Sequence, residues 1–293
     1  MRRCPPCTLL IGALAAATTL AACGGGGAHD GNASDGGGGQ GGTAGGGLGG
    51  VAFNQCGVAA PLPADTGHCT AVHAPVIADF DDYVTGSAAG SYTFYVNGKP
   101  PAADAVLGAI QHIGDGSDMN GGTSIISTDM VSGASGAGYA LQVADTNATH
   151  WGGALLFFFP SSGATATCLN GDSYQGVEFS IKGTAPSGRL NVSLAMLDTT
   201  PAGSNGLCNN ANPNDCKNAA IALPMPADGA TWATIRLPWG AFTPGIGSAQ
   251  TCVPVTGQNI VQLVIQPLMK YPPPNYQFES GPYTLAVDDV RFF

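Results

Sequence analysis

Two stretches of the folded part of the chain, one early and one late, carry neighbouring aspartates whose carboxylates could bind a cation or take part in catalysis. In the strand-like segment 283–293, Asp288-Asp289 stands between apolar residues. The apolar residues before this pair and those after it are out of phase with the two-residue period of a strand. A β-bulge at the pair corrects the phase and places the carboxylates on the rim of a sheet. The second stretch is Ala78-Asp-Phe-Asp-Asp82, so we expect two acidic strands that could meet.

A catalytic carboxylate pair has little support in the sequence. Glycosidases generally use two carboxyl groups about 5–10 Å apart, and this chain has two glutamates, Glu178 and Glu279. Asp198, at the end of a predicted strand, could partner Glu178. No nucleophile-elbow or zinc-protease motif occurs. The sequence therefore predicts a protein that is not an enzyme, with a glycan-active enzyme as the least favoured alternative.

Residues 1–22 have the pattern of a secretory signal, with a basic start and an apolar run that is too short for a membrane span. The segment Leu20-Ala-Ala-Cys23 resembles the lipobox of bacterial lipoproteins. That resemblance implies cleavage before Cys23 and a lipid anchor on this cysteine. Gly24 favours the outer membrane, so we expect an envelope protein that is periplasmic or surface-exposed. An ordinary secretory signal with an incidental cysteine is the alternative.

Residues 23–50 follow as a flexible tether, because 16 of the 27 residues after Cys23 are glycine and cannot form a core. Residues 51–75 are expected to be a lead-in held by a disulfide, and residues 76–293 one folded domain. The formal net charge is −10, which argues against nucleic acid as a partner. The membrane is expected to be contacted through the lipid anchor alone.

Nine cysteines occur in the chain. Cys4 and Cys7 leave with the signal, and Cys23 is the lipid site. The remaining six predict three disulfides in an oxidising compartment, although many pairings are possible. A zinc site is the alternative, but the spacings fit no zinc pattern. The favoured pairing, in which two bonds close short loops and the third is long-range, is Cys56–Cys69, Cys208–Cys216 and Cys168–Cys252.

The folded part alternates apolar and polar residues in short runs separated by turn-rich segments. Residues 190–197 place apolar residues on one face and Asn191 and Ser193 on the other. Residues 151–159 are apolar on both faces, as in a central strand. Residues 102–113 could be a short helix or a strand. About nine or ten strands without a long helix predict an all-β antiparallel β-sandwich, most simply a jelly roll.

The order of motifs over residues 76–293 carries a family resemblance. The motifs are Tyr139-Ala-Leu-Gln-Val, Trp151-Gly-Gly, Cys168, Tyr174-Gln-Gly-Val-Glu-Phe, Leu190-Asn-Val-Ser-Leu, Trp232 before Leu237-Pro-Trp, and Asp288-Asp-Val-Arg-Phe. This order resembles the galactose-binding-like jelly rolls, in particular carbohydrate-binding modules of the family-11 type and complex-I intermediate-associated domains. Residues 97–138 and the cysteines at 56 and 69 depart from the pattern.

The resemblance implies a structural calcium where the first and last strands run side by side. By position, Asp288 matches the ligand on the last strand and Asp81 the ligand on the first. Calcium takes 6–8 oxygen ligands, and carbonyls of the turn Gly133–Gly138 could supply others. The alternative is that these aspartates are solvated rim residues or turn caps.

The resemblance also implies a glycan-binding face without catalysis. Neutral sugars are held by aromatic faces and by planar polar groups that reach hydroxyls. Trp151 and Tyr95 are candidate platforms, as are Tyr174, Trp239, Tyr271 and Tyr276. The candidate hydrogen-bonding residues are Asn191, Ser193, Arg236, Gln262 and Gln266. The expected partner is a neutral polysaccharide or cell-surface glycan. The alternative is a structural or adhesive envelope lipoprotein that does not bind sugar.

Overall fold

The computed structural model describes residues 56, 69–72, 74–80, 91–94, 109–114, 126–148, 152–159, 168–204, 206–212, 214–268 and 281–293. All of them belong to one compact unit, Val51–Phe293. The strands are β1 (Thr70–Ala71), β2 (Val76–Ala78), β3 (Ser91–Phe94), β4 (Ala109–Gly114), β5 (Ile126–Ser132), β6 (Tyr139–Ala148), β7 (Gly153–Phe158), β8 (Leu169–Asn170), β9 (Gly176–Thr184), β10 (Arg189–Met196), β11 (Ala219–Pro224), β12 (Ala233–Pro238), β13 (Gly245–Ile246), β14 (Cys252–Val253), β15 (Ile260–Pro267) and β16 (Gly281–Phe292). Short 3₁₀ turns occupy Leu197–Thr199, Ala202–Ser204, Trp239–Ala241 and Ser248–Gln250.

The strands form two large sheets and a small two-stranded sheet of β13 and β14. Sheet A has the order β3-β4-β7-β15-β10-β11, with β8 beside the start of β15 and β1 beside β8. Sheet B has the order β12-β9-β16-β6-β5, with β2 on the end of β16. The pairs are antiparallel except β1–β8. The chain changes sheet at most of its connections, which is the arrangement of a jelly roll. The predicted all-β antiparallel β-sandwich is confirmed.

The core lies between the sheets because each strand presents alternate residues to it. On sheet A, Leu190, Val192 and Leu194 face inward, and Phe179 and Leu285 do so on sheet B. These side chains join one cluster of buried apolar residues that contains members of both sheets. The sandwich is therefore held together chiefly by apolar burial between two sheets.

A polar pair crosses this core from one sheet to the other. Nε2 of His112, on β4, lies 2.8 Å from the hydroxyl of Tyr283, on β16. Burial lowers the pKa of His112 from 6.5 to about 4, so the imidazole is neutral in the folded protein at pH 7. Gly153 of β7 makes room for this pair, since a Cβ at this position would overlap the Tyr283 hydroxyl.

The terminal strand contains the predicted bulge. Asp288 lies opposite Ser180 of β9, whereas Arg291 lies opposite Glu178, so two residues of β16 oppose one of β9. Asp289 has a φ of 50°, a left-handed conformation that Asp adopts more readily than most residues. The bulge returns the residues after it to the core-facing side, as the sequence predicted.

The three disulfides form as expected in number, but two of the predicted pairings are wrong. Cys208 pairs with Cys216, as predicted. The other bonds are Cys56–Cys252 and Cys69–Cys168. Cys69 comes directly before β1, and Cys168 comes directly before β8. Because β1 and β8 pair in parallel, the two cysteines lie side by side. The prediction favoured bonds that close short loops, and loop length gives no information about this long-range strand pairing.

Two further elements were undecided or missed in the sequence. The second half of the ambiguous segment 102–113 belongs to the strand β4, which ends one residue later at Gly114. The strand β11, Ala219–Pro224, forms an edge of sheet A but has few β-branched residues to indicate it. No helix within the described part of the chain is long and apolar enough to cross a membrane.

Candidate functional site

The side of sheet A that faces away from the core carries amide side chains around an apolar strip. Asn191 follows core-facing Leu190 on β10, so it points outward, and it lies opposite Gln266 of β15. We call this surface the amide face. Its defining residues are Gln111, Ala154, Leu156, Phe158, Asn191, Gln262, Val264 and Gln266.

The apolar strip runs across the middle of the amide face. Ala154, Leu156 and Val264 form a buried cluster that is separate from the main core, and the half-buried side chains of Phe158 and Ile113 pack against it. Leu156 lies opposite Val264 on one neighbouring strand and opposite Gln111 on the other. The strip therefore crosses from β15 through β7 towards β4.

The amides border this strip. Gln262 lies opposite Phe158, so an amide stands beside the half-buried aromatic ring. Asn191, Gln262, Gln266 and Gln111 are all half-buried. Each side-chain amide carries both a donor and an acceptor group, which is what a ligand with many hydroxyl groups requires.

The amide face is almost uncharged. Arg189, at the start of β10, is the one charged side chain among its described positions. A surface that has amides and apolar groups without a cluster of cations favours a neutral ligand over a phosphate-bearing one.

The structure brings four of the five predicted hydrogen-bonding residues together and separates the fifth. Asn191, Gln262 and Gln266 share the amide face, as does Ser193, which is buried opposite Val264. Arg236 lies on β12 of sheet B, the other sheet. Trp151 and Tyr95 lie outside the described residues, as do Tyr271 and Tyr276.

Arg236 belongs to an ion-pair cluster on sheet B. Its Nε lies 3.7 Å from a carboxylate oxygen of Glu178, and its guanidinium carbon lies 3.8 Å from the centroid of the Phe293 ring. The Nε of Arg291 donates a 2.9 Å hydrogen bond to the other oxygen of Glu178. This cluster ties β9, β12 and β16 together and gives Arg236 a structural role.

The same cluster removes support for a Glu178–Asp198 catalytic pair. Two arginines occupy the carboxylate of Glu178. Asp198 lies in the 3₁₀ turn that follows β10 of sheet A, where it accepts a hydrogen bond from Asn259. The two carboxyl groups are therefore held by different elements and engaged by different partners.

Two of the predicted aromatic platforms pack inward. Trp239 is 7% exposed, its ring lies 6.1 Å from that of Phe292, and its indole N–H donates to the backbone carbonyl of Tyr174. The Tyr174 ring lies 5.5 Å from the same phenylalanine. The prediction of Trp239 as a sugar platform is wrong, because the side chain helps to close the core beneath β16.

Asp288 is buried at the bulge and lies against the turn Gly133–Gly138, which the sequence analysis named as a possible source of calcium ligands. One carboxylate oxygen accepts a 2.7 Å hydrogen bond from the backbone N–H of Ala134, and the other accepts one from the N–H of Asp289. Asp81 lies outside the described residues. Within the described part of the chain, no three His, Cys, Asp or Glu side chains cluster as a metal site.

Sequence reasoning missed two contributors to the amide face. Phe158 was assigned to a strand buried on both sides, which left open that its outer side could border a ligand surface. Gln111 lies in the segment whose secondary structure was undecided. The alternation Gln111–His112–Ile113 within a strand was the signal that could have placed Gln111 on the outer side.

The described residues define an antiparallel β-sandwich with a neutral, amide-bearing sheet face. No protein-family model matches the sequence, and no curated protein matches it.

Solved structures of similar fold include carbohydrate-binding modules. A family 11 module from Clostridium thermocellum, in complex with a β-1,3-1,4-mixed-linked tetrasaccharide, shares 15% identity and a TM-score of 0.40, covering 75% of this chain and 94% of that one. A family 30 module shares 12% identity and a TM-score of 0.36, covering 75% and 97%. An exo-β-agarase shares 10% identity and a TM-score of 0.32, covering 58% and 22%.

Proposed function

We propose that this protein binds a neutral polysaccharide along the amide face of sheet A and does not cleave it. The observation that carries the proposal is the cross-strand placement of Asn191 and Gln266 on the same almost uncharged face as Gln262 and the half-buried ring of Phe158. A sugar ring has apolar C–H faces and equatorial hydroxyl groups, and it needs both kinds of surface at once.

The arrangement suggests how a chain would lie. The face of a sugar ring rests on half-buried Phe158, because Leu156 and Val264 are only 6% and 8% exposed. The amides of Gln262 and Gln266 reach hydroxyl groups at the edges of the rings. Neighbouring strands lie about 4.8 Å apart, so a polysaccharide that crosses several strands meets several sugar-sized steps.

The carboxylates support binding without cleavage. Hydrolysis of a glycosidic bond generally uses two carboxyl groups flanking it, and the described positions of the amide face carry none. The carboxylate of Glu178, on sheet B, is already engaged by Arg236 and Arg291.

The proposal includes export and a lipid anchor on Cys23 that holds the sandwich at the outer membrane, either in the periplasm or on the cell surface. Three disulfides support export, because such bonds persist in oxidising compartments. The anchor itself is tested by mass spectrometry of the purified protein, in which a Cys23→Ala variant should lose the lipid mass.

The proposal also includes a structural calcium with Asp288 and Asp81 as ligands. A buried carboxylate such as Asp288 suits a cation with oxygen ligands, and it would have to keep or exchange the N–H bonds that its two oxygens accept from Ala134 and Asp289. Bound calcium would hold the bulge of β16 against the turn after β5 and would take no part in sugar chemistry.

Affinity electrophoresis on neutral polysaccharides tests the binding. The panel contains mixed-linked β-glucan, xylan, galactomannan and agarose. Replacing both Asn191 and Gln266 with Ala should weaken retention about tenfold, since each removed hydrogen bond contributes about 0.5–1.5 kcal/mol. The matched control is Arg236→Ala on sheet B, which should leave retention unchanged.

The outcome separates the proposal from its rivals. Folded protein that is retained by none of the polysaccharides would reject sugar binding and would favour a structural or adhesive role. Loss of retention in the Arg236 variant alone would move the site to sheet B. Release of reducing ends from the retained polysaccharide would show an enzyme.

A further inference from the structure

A pocket separate from the amide face lies among the loops at the end of sheet A where β10 finishes. The cavity has a volume of about 250 Å³, and we call it the loop pocket. Its walls come from the turn after β10, the loop that follows it, and the β13–β14 hairpin. The lining includes Asp198, Leu207, Ser248, Thr251, Val253 and Pro254.

Covalent and backbone links brace the loops around the pocket. Cys252, which lies between two lining residues, is bonded to Cys56, and the loop on the other side is closed by the disulfide Cys208–Cys216. Lys217 and Ile246 exchange two backbone hydrogen bonds of 2.8 Å. The pocket is therefore preformed, and a ligand would not have to order it.

A buried carboxylate holds one wall in an unusual conformation. Ala249 and Gln250 both have left-handed φ angles, 51° and 58°, and the N–H of Gln250 donates a 2.9 Å hydrogen bond to Asp215. Burial acts to raise the pKa of Asp215, but hydrogen bonds from Asn212 and from the backbone of this turn lower it overall. Backbone strain of this kind persists where the surroundings enforce it.

The polar groups of the pocket suit a ligand with neighbouring hydroxyls. Among the described residues, one side chain donates to Asp198: Asn259, at 3.4 Å to Oδ2, so the lone pairs of Oδ1 can accept from a ligand. Ser248 Oγ accepts from the N–H of Asn209, which leaves its O–H to donate. Thr251 Oγ1 donates to the carbonyl of Ser248, which leaves its lone pairs to accept.

The remaining walls are apolar and uncharged. Leu207 is 55% exposed, and Val253 and Pro254 complete the apolar side. The lining contains no Lys, Arg or His, so an anion would find no partner. The cavity is smaller than the 300–1,000 Å³ or so of sites for drug-sized ligands.

From this chemistry we infer that the loop pocket binds a single neutral sugar ring, with Asp198 accepting hydrogen bonds from two adjacent hydroxyls and Leu207 covering the apolar face of the ring. The site is distinct from the amide face and does not depend on it. One small, partly open pocket predicts a dissociation constant on the order of 1 mM.

Saturation-transfer NMR on the full-length protein tests this inference. The probes are D-glucose, D-galactose and D-xylose, each at about 10 mM, with D-glucosamine as a cationic comparison. At least one neutral sugar should receive saturation. Asp198→Asn should weaken that sugar's binding about tenfold, and Leu207→Ala should weaken it several-fold. The matched control is Asp172→Asn, an exposed aspartate outside the pocket, which should change nothing.

The double variant of Asn191 and Gln266 separates the two sites. It should leave transfer to the monosaccharides intact, while Asp198→Asn should leave polysaccharide retention intact. No transfer to any neutral sugar from folded protein would overturn the inference, as would transfer to D-glucosamine alone. Transfer that is insensitive to Asp198→Asn but lost in the double variant would assign the sugar to the amide face, and would overturn the loop pocket while the proposed function stands.

Discussion

The buried His112–Tyr283 pair makes the stability of the sandwich depend on pH. Burial lowers the pKa of His112 from 6.5 to about 4. Below pH 6.5 the unfolded chain binds a proton at this residue, whereas the folded protein does not until about pH 4. The free energy of unfolding therefore falls as the pH falls between these values. At 1.36 kcal/mol per pKa unit, the loss amounts to about 3 kcal/mol.

Urea unfolding followed by tryptophan fluorescence, at several pH values between 7 and 4, measures this loss. The comparison is between the unaltered protein and His112→Gln, which stays neutral throughout and can still hydrogen-bond to Tyr283. Each protein gives a curve of the free energy of unfolding against pH. Subtracting one curve from the other cancels the contributions of the carboxylates that both proteins share. These include Asp215 and Asp228, whose lowered pKa values cause further losses of stability at lower pH. The difference in the free energy of unfolding between the two proteins should change by about 3 kcal/mol between pH 7 and pH 4.

A second variant guards against a merely structural effect. Tyr283→Phe removes the hydrogen bond to His112 but keeps the imidazole buried. It should lower stability by about 1 kcal/mol or more at pH 7 and retain the pH-dependent loss. If the protein with Gln at position 112 loses stability between pH 6.5 and 4 as steeply as the unaltered protein, the reasoning about His112 is refuted.

Three further changes test the core and the acidic bulge. Phe157→Ala should lower the free energy of unfolding, measured by urea denaturation, by about 3–5 kcal/mol, because the side chain is fully buried. A loss below about 1 kcal/mol would contradict its place in the core. Gly153→Ala should lower the free energy of unfolding by about 1–3 kcal/mol, because the new methyl group would displace the Tyr283 hydroxyl. Unchanged stability would show that the hydroxyl can move aside. A calcium chelator should lower the melting temperature by about 5 °C or more if Asp288 and Asp81 hold calcium, and an unchanged transition would reject that site.

Local pattern was enough to predict the features that a short stretch of chain determines. The phase slip around Asp288 predicted a bulge because the two-residue period of a strand is a property of the strand alone. The outward positions of Asn191, Gln262 and Gln266 followed from the same period.

Features that depend on which distant segments meet were not predictable in this way. The pairing of Cys69 with Cys168 follows from the parallel contact of β1 with β8, two-residue strands with no pattern of their own. Arg236 and Asn191 both point away from the core, but they lie on different sheets. Alternation identifies the outer side of a strand and does not say which sheet that strand joins.

The central place of β16 in sheet B has a consequence for how the protein is made. Its partners β2, β6 and β9 all precede it in the chain. Until β16 is in place, β6 and β9 each have an unpaired backbone edge, the kind of surface that recruits other chains. A chain truncated before residue 281 should therefore aggregate, although most of its core residues are already present.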